Sequence, residues 1–511
     1  MSPIAKKIAF GILSGGGLTL IQIFVSLVQI RLVVEFLPDS LGGVWFLFLT
    51  FGLYISFFDL GISPTISREI SFIRGTANVS EPEKQTQIAD LIQTNLRMFQ
   101  IIALIVFVVG LFAGEGYFHA IGHEGVWWAW FVFMLGASFN LWGNANFSAL
   151  YGLGNVAEER VIRSVTQIIG LILSIVLLYL GFDLLGLAFA WTLQNSLARV
   201  IGRIVLYRRY PFLREVQGRY SKELLKKIVM PSLKWAITSL GALLILNTGN
   251  VIISINLGTE KIPSYEAVVK IVTTLSTLSI MIINTSTPFV SNAFAAGKIE
   301  DVKQLFTRNV KLGMALMISL VSFIAVFGRG IVGIWLGEEN FAGELVLWTL
   351  LLMLTLEVHH VIHATVIMAC GKVIFHWVAI FAGIFNVILA TVLVKHYDLW
   401  GVALAIFLAQ ILTNNWYAPY KTLRFFKMSI RKYILSTGLP LTIYSIIGLC
   451  VAVGLQLVTQ GLPSILSIVI SFLCCIAVSV ALTYILLLNE KDKDAIKAVF
   501  TKWRLVYGTN R

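Results

Sequence analysis

Apolar stretches of about 20 residues recur along the chain, from roughly 10–34 to 463–489, each long enough to cross hydrocarbon at about 1.5 Å per residue. About 14 such stretches can be marked, separated by short polar connections. Inside a bilayer every backbone N–H and C=O must be satisfied without water, which confines an open chain to helices. Composition agrees: 58% of residues are hydrophobic, only 13% are charged, and the mean hydropathy is +0.86. A soluble chain carries about a quarter charged residues. The expected class is therefore an all-α polytopic membrane protein. The first stretch, Phe10 to Val34, follows Lys6 and Lys7 and is too long for a signal-peptide core, so it is expected to stay as a helix.

The net charge of +13 invites a nucleic-acid reading, but its placement argues against one. Connections after even-numbered stretches are basic. They carry Arg68 and Arg74, then Arg160 and Arg163, then seven cations between Arg208 and Lys227, then Lys298 and Lys303, then Lys421 to Lys432. Connections after odd-numbered stretches hold little beyond Lys261, Arg329 and Lys395. This positive-inside alternation predicts that both termini are cytoplasmic. The tail adds Lys491, Lys493, Lys497, Lys502 and Arg504. The longest inner connection contains "SKELLKKIV", whose apolar and basic residues alternate at helical spacing, so it is expected to lie along the membrane surface. The outer connections are too short for a catalytic domain. Cys370, Cys450, Cys474 and Cys475 fall in or beside apolar stretches and suggest neither a disulfide framework nor a zinc site.

The chain also resembles itself. "SPTISREISFIRG" in the second stretch aligns with "TPFVSNAFAAGK" in the eighth, pairing Pro64 with Pro288 and Ser67 with Ser291. "YGLGNV" matches "ACGKV", pairing Gly154 with Gly371 and Val156 with Val373. "DLLGLAFA" (183–190) matches "DLWGVALA" (398–405) at five of eight positions. Matches six stretches apart imply two six-helix lobes of the same orientation, a parallel repeat. The expected division is an N-terminal lobe at 1–207, a cytoplasmic amphipathic linker at 208–232 and a C-terminal lobe at 233–421. Two further membrane helices follow at 422–489, then a basic tail at 490–511.

Polar residues inside a span are costly and normally face a partner or a wet cavity. At the repeat offset Asn140 falls on Glu357 and Asn146 on His363, which makes the same face of the fourth and tenth stretches polar. Arg31 and Lys270 lie near outer helix ends, where the topology disfavours cations, and suit an anionic group such as a phosphate. Arg199, Arg203 and Lys234 lie near inner ends, where snorkelling to the interface is the simpler reading. The candidate substrate-binding set is Arg31, Lys270, Asn140, Asn146, His363 and Asn250. Asp59, Glu357 and His360 are the candidates for coupling to an ion gradient, and Pro64 and Pro288 for bending their helices. Glu357, His360 and His363, at i, i+3 and i+6, cannot alone supply a metal site. "LSGGG" (13–17) lacks an accompanying phosphate loop, so its glycines are expected to allow close helix packing. Asn78 sits in a sequon but in a predicted cytoplasmic connection. No nucleophile–base constellation emerges, no enzyme is expected, and no cofactor is implied.

"RLVVEFLPDSLGGVWFLFLTFGLYISFFDLGISPTISREIS" (31–71) resembles the opening of the polysaccharide transporter family, the O-antigen flippases of the multidrug/oligosaccharidyl-lipid/polysaccharide exporter superfamily. The resemblance rests on Gly43-x-Trp45, Asp59-Leu60-Gly61, Arg68-Glu69 and the two "DLxGxAxA" turns. It implies a bacterial inner-membrane flippase that moves an undecaprenyl-pyrophosphate-linked oligosaccharide to the periplasmic leaflet by ion-coupled alternating access. It also implies a lipid-linked substrate and a polysaccharide polymerase and chain-length regulator as partners, with the flippase itself a monomer. A drug antiporter of the same superfamily, a lipid II-type flippase and a membrane glycosyltransferase are the alternatives.

Overall fold

The computed structural model describes residues 3–76, 79–372, 374–490 and 493–494. The side chains of 3–15, Met230, Pro231, Lys234, Trp235 and Thr238 fall outside that description. So do the expectations placed on Lys6, Lys7, Asn78, Lys234, Val373, Lys491, Lys497, Lys502 and Arg504.

The described residues are mostly helical, with no strand among them. In chain order the helices begin with α1 (Pro3–Phe36), α2 (Asp39–Phe57), α3 (Ile62–Gly75), α4 (Glu81–Ala120), α5 (Trp127–Gly152) and α6 (Val156–Tyr179). Next come α7 (Asp183–Arg209), the single turn α8 (Phe212–Glu215), α9 (Lys222–Leu246), α10 (Gly249–Asn256), α11 (Ile262–Ala295) and α12 (Ile299–Leu336). The last six are α13 (Glu344–Ala369), α14 (His376–Leu412), α15 (Asn414–Phe425), the turn α16 (Ile430–Tyr433), α17 (Leu439–Thr459) and α18 (Ser464–Leu482). Among the described residues 11 helices are long and apolar enough to span a membrane, or 12 if the bent pair α9–α10 is one span. This differs from the expected 14 because the count joins α14 and α15 into one 50-residue stretch, although α14 turns at Asp398 (φ 53°, ψ −142°) between two of the expected spans, and because α5, with Asn140, Asn144 and Asn146, is not among the 11. "SKELLKKIV" is not a separate surface helix. Ser221 caps it by accepting from the Leu224 N–H, and it runs unbroken into α9.

The chain packs as two compact units, one of residues 1–266 with 376–402 and the other of 267–375 with 403–511. The core of the first is aromatic. Trp45, Phe48, Phe118, Trp130 and Phe133 are buried, and the Phe48 ring centroid lies 5.1–5.3 Å from those of Phe118, Trp130 and Phe133. The Trp130 indole N–H, which needs a partner in an apolar core, donates to the carbonyls of Gly110 and Leu111 at 3.2 Å. In the second unit Phe426 and Tyr433 each stack on Phe306, at 6.0 and 6.4 Å, and Phe306 and Tyr433 both meet the ring of a buried histidine, His363.

Candidate functional site

The second apolar stretch breaks into α2 and α3 at Leu60 and Gly61, which take φ of 50° and 71°. The expectation that Pro64 bends a continuous helix is corrected here: the break comes first, and Pro64 sits in the opening turn of α3. The two are linked physically. In a continuous helix Pro64 would offer no N–H to the carbonyl of Leu60, four residues back, and its ring would crowd that carbonyl. In the first turn its missing N–H costs nothing, because those groups have no intrahelical acceptor. Asp59 then caps the new helix. Its Oδ1 accepts from the Ser63 backbone N–H at 3.0 Å and from the Ser63 hydroxyl at 2.9 Å. By contrast, α11 runs as one helix through Pro288.

On α3, Ser63, Ser67 and Ser71 recur every four residues and form a hydroxyl row on one face. Ser67 donates to the carbonyl of Ser148 at 2.9 Å and Ser71 to that of Gly152 at 3.0 Å, so two hydroxyls clip α3 to α5. Arg74 closes the clip on the carbonyl of Leu153. Together α3, α5 and the start of α6 line an open cavity of about 710 Å³ in the first unit. It is lined by Asp59 and the serine row, by Arg68, by Asn144, Phe147 and Tyr151 of α5, and by Glu159 and Arg163 of α6. Arg163 is paired with Glu159 one turn earlier and also lies over the Phe147 ring, 4.9 Å from its centroid.

Behind this wall stands Arg199. The simpler reading, a cation snorkelling to the interface, is overturned, since the residue is only 4% exposed. Its Nε donates to Asn140 Oδ1 at 2.8 Å and its guanidinium lies 4.3 Å from the Phe147 centroid. Glycines make the room. A side chain at Gly143 would strike the Arg199 stem at 2.5–2.7 Å, and one at Gly136 would strike Thr192. These pairs, seven residues apart on both helices, set the register of α5 against α7. Phe147 thus separates the cavity from a buried cation.

The other expected residues are scattered. Asn140 is held by Arg199, and Asn146 is buried with its Oδ1 unpartnered, while Asn144 takes the cavity wall. Arg31 is well exposed and bridged to Glu35 at 3.5 Å. Asn250 donates to Thr50 and to Glu266, at 3.0 and 2.6 Å. In the second unit Lys270 is half-buried on α11. Glu357 takes a hydrogen bond from Gln410, with its Oε2 sealed off and unpartnered. His360 donates through Nδ1 to the Asn414 carbonyl at 3.0 Å. His363 is fully buried. Its Nδ1 faces the His359 carbonyl at 2.8 Å, so Nδ1 carries the proton and Nε2 accepts. The Tyr433 hydroxyl, 3.1 Å from that Nε2 and 2.9 Å from His359 Nε2, therefore donates to His363 and accepts from His359. Both His363 nitrogens are thus spent on packing. Arg163 and Arg68 were missed as site residues because their positions at the basic end of the spans already explained them as topology, and the serine row because Ser67 was read only as a repeat match.

Gly17 of the "LSGGG" run has open space around its Cα, so at that residue close helix packing is not found.

A family model described as polysaccharide biosynthesis protein matches residues 8–294. No curated protein matches the chain. Among solved structures, the inward-facing conformation of a multidrug resistance MATE family transporter of the MOP superfamily aligns with a TM-score of 0.64 at 18% identity, over 79% of this chain and 96% of that one. The lipid II flippase MurJ in an inward closed conformation aligns with a TM-score of 0.64 at 14% identity, over 94% of this chain and 98% of that one. A MOP superfamily transporter from Pyrococcus furiosus, described by a binding pocket of reversed polarity, aligns with a TM-score of 0.56 at 16% identity, over 83% and 97%. At these identities the likeness establishes the fold.

Proposed function

The chain belongs to the polysaccharide biosynthesis protein family, and on that premise we propose that it is a flippase for a lipid-linked oligosaccharide, carried from the cytoplasmic to the outer leaflet of a bacterial inner membrane. The observation that carries the reading is the α3–α5–α6 cavity. It lies at the end of its unit where Arg74, Arg160, Arg163 and Arg209 gather, the end that the positive-inside rule assigns to the cytoplasm. Its wall combines two guanidinium groups, Arg68 beside Glu69 and Arg163 paired with Glu159, with the Asp59 carboxylate, hydroxyls and an amide. Planar guanidinium forks suit phosphate oxygens, and hydroxyls and amides suit sugar hydroxyls. The fold likeness to a lipid II flippase over nearly the whole chain supports a substrate with a lipid anchor.

In this reading the lipid-linked unit is an O-antigen or similar repeat on undecaprenyl pyrophosphate, and transport follows alternating access driven by an ion gradient. Asp59 holds the coupling proton or cation in the first unit, at the cavity wall. Glu357, with His360 one turn away, is the counterpart in the second. Arg31 and Lys270 remain proposed contacts for the anionic head on its way out, together with the amides Asn140, Asn146 and Asn250. His363 is kept only as the packed support for that face. The flippase works beside a polysaccharide polymerase and a chain-length regulator, and both termini are cytoplasmic.

Deletion and complementation test this, with surface polysaccharide and drug sensitivity scored separately. The expected result is loss of surface glycan, restored by the wild-type chain and not by Arg163→Gln. Normal surface glycan in a deletion strain without a redundant transporter would overturn the reading, and a selective rise in drug sensitivity would favour an antiporter. Arg31→Ala and Lys270→Ala, each at normal protein level, test the outer cations. Unchanged export in both removes them from the path.

A further inference from the structure

The second unit holds a cavity of about 550 Å³ that plays no part in the proposed transport site. It lies where the first turns of α12 meet the loop before α16 and the end of the α18 segment. Among its described lining residues are five cations, Lys303, Arg308, Lys311, Lys427 and Lys432, and one carboxylate, Glu300, which is bridged to Lys303 at 2.7 Å. So strong an excess of one sign in one concave site raises the local concentration of anions. Two π-helical turns bound the cavity, Ile434–Gly438 contributing Ser436 and Thr483–Leu487 contributing Leu487. Such turns are rare and are found often at functional sites.

A second depression adjoins the first. It shares Ser429, Lys432 and Ser436 with it and adds Arg431 and Leu435. Leu435 is exposed, as are its neighbours Ile434 and Leu439 on the same stretch and Ile485 on the other π-turn. The basic cavity therefore opens onto an apolar surface that no described residue covers, at the end of the helices where the basic connections gather. A soluble phosphate has no use for that apolar rim. A diacyl lipid with an anionic head uses both parts, its phosphate among the cations and an acyl chain past Leu435.

We propose that this cavity binds the headgroup of an anionic phospholipid from the cytoplasmic leaflet, as a site separate from the transported substrate. The proposal does not depend on what the protein transports. Each cation contributes about a fivefold gain in apparent affinity for such a surface.

The test uses the purified full chain in nanodiscs of phosphatidylcholine with graded fractions of phosphatidylglycerol, followed by thermal melting and by native mass spectrometry of retained lipid. Wild type is expected to melt at higher temperature as phosphatidylglycerol rises and to retain it. Lys427→Gln/Lys432→Gln is expected to melt like wild type in pure phosphatidylcholine and to need roughly 25-fold more phosphatidylglycerol for the same rise. Lys427→Arg/Lys432→Arg keeps the response, which guards against a merely misfolded glutamine variant, and Lys261→Gln, outside the cavity, keeps it too. An undiminished response in the glutamine variant overturns the proposal. So does a wild-type rise in pure phosphatidylcholine on adding inorganic pyrophosphate that the Lys427→Gln/Lys432→Gln variant loses, since this cavity would then be one for a soluble anion.

Discussion

Arg199 lies over Phe147 with its guanidinium 4.3 Å from the ring centroid, and the same ring forms part of the wall of the α3–α5–α6 cavity. A cation taken out of water needs compensation, and here the ring face and the Asn140 amide oxygen supply it while Nη1 stays unpartnered, in room that Gly143 leaves beside the side-chain stem.

That room is the first prediction. Gly143→Ala places a methyl against the Arg199 stem, with no open volume to receive it, and should destabilise by about 1–3 kcal/mol. Gly116→Ala on α4 has nothing within 4 Å and should be neutral or mildly stabilising, since alanine is the better helix former. Thermal melting of the two variants side by side checks this. Equal melting would mean that the α5–α7 register does not rest on Gly143.

Asp59 serves two purposes that one substitution separates. As a helix cap it needs only an acceptor oxygen for Ser63, which asparagine supplies. As a coupling group it needs to bind and release a proton or cation, which asparagine cannot do. Asp59→Asn should therefore melt within about 0.5 kcal/mol of wild type while losing gradient-driven export, and Asp59→Ala should lose about 1 kcal/mol as well. Wild-type export by Asp59→Asn, measured in reconstituted vesicles, would reduce Asp59 to a cap.

The same region shows what the sequence could and could not disclose. Three repeat matches were legible, and two of them return as shared backbone geometry. Gly154 and Gly371 both take left-handed φ, 86° and 80°, past the ends of α5 and α13. Asp183 and Asp398 both take positive φ, 41° and 53°, in the "DLxGxAxA" turns. Ser67 and Ser291 each donate to a carbonyl on the helix six stretches apart in the repeat, Ser148 on α5 and Ala369 on α13. Pro64 and Pro288 do not match: the identity of a proline says that a helical hydrogen bond is missing, while the residues before it decide whether the chain breaks. Leu60-Gly61 can take left-handed φ there, whereas Ile283 and Asn284 stay helical. Arg199 was misread because its partners lie more than 50 residues away, and only Gly136 and Gly143, seven apart on α5, hinted that α7 approaches closely.

His123 in the connection after α4 sits outside the spans, with Nε2 2.8 Å from the Thr259 hydroxyl. Burial pushes its pKa below the ordinary 6.5, and nearby Glu260 opposes this only in part. The folded state thus favours neutral imidazole, and the unfolded chain binds more protons as pH falls towards and below about 6.5. The contribution to stability is present above that value and is lost on acidification. His123→Gln keeps a polar partner for Thr259 without titrating, so its melting temperature should fall less than wild type's between neutral pH and mildly acidic pH. Parallel curves would show that His123 takes no part.

Tyr433 offers the sharpest test of the second unit's polar core. Its hydroxyl accepts from the half-buried His359 Nε2 and donates to the buried His363 Nε2, and among the described residues neither nitrogen has another hydrogen-bond partner. Tyr433→Phe keeps the ring that stacks on Phe306 and removes only the oxygen. Two imidazole nitrogens then lose their partner at once, at about 1–3 kcal/mol for each buried group left unsatisfied. His363→Leu in the same background removes one of those groups and fills its place with an apolar side chain. The double variant should therefore melt above Tyr433→Phe alone, a reversal that simple loss of packing cannot give. Denaturant or thermal melting of wild type, the two single variants and the double variant completes the cycle. If the double variant is no more stable than Tyr433→Phe, the hydroxyl is not what satisfies the histidine pair.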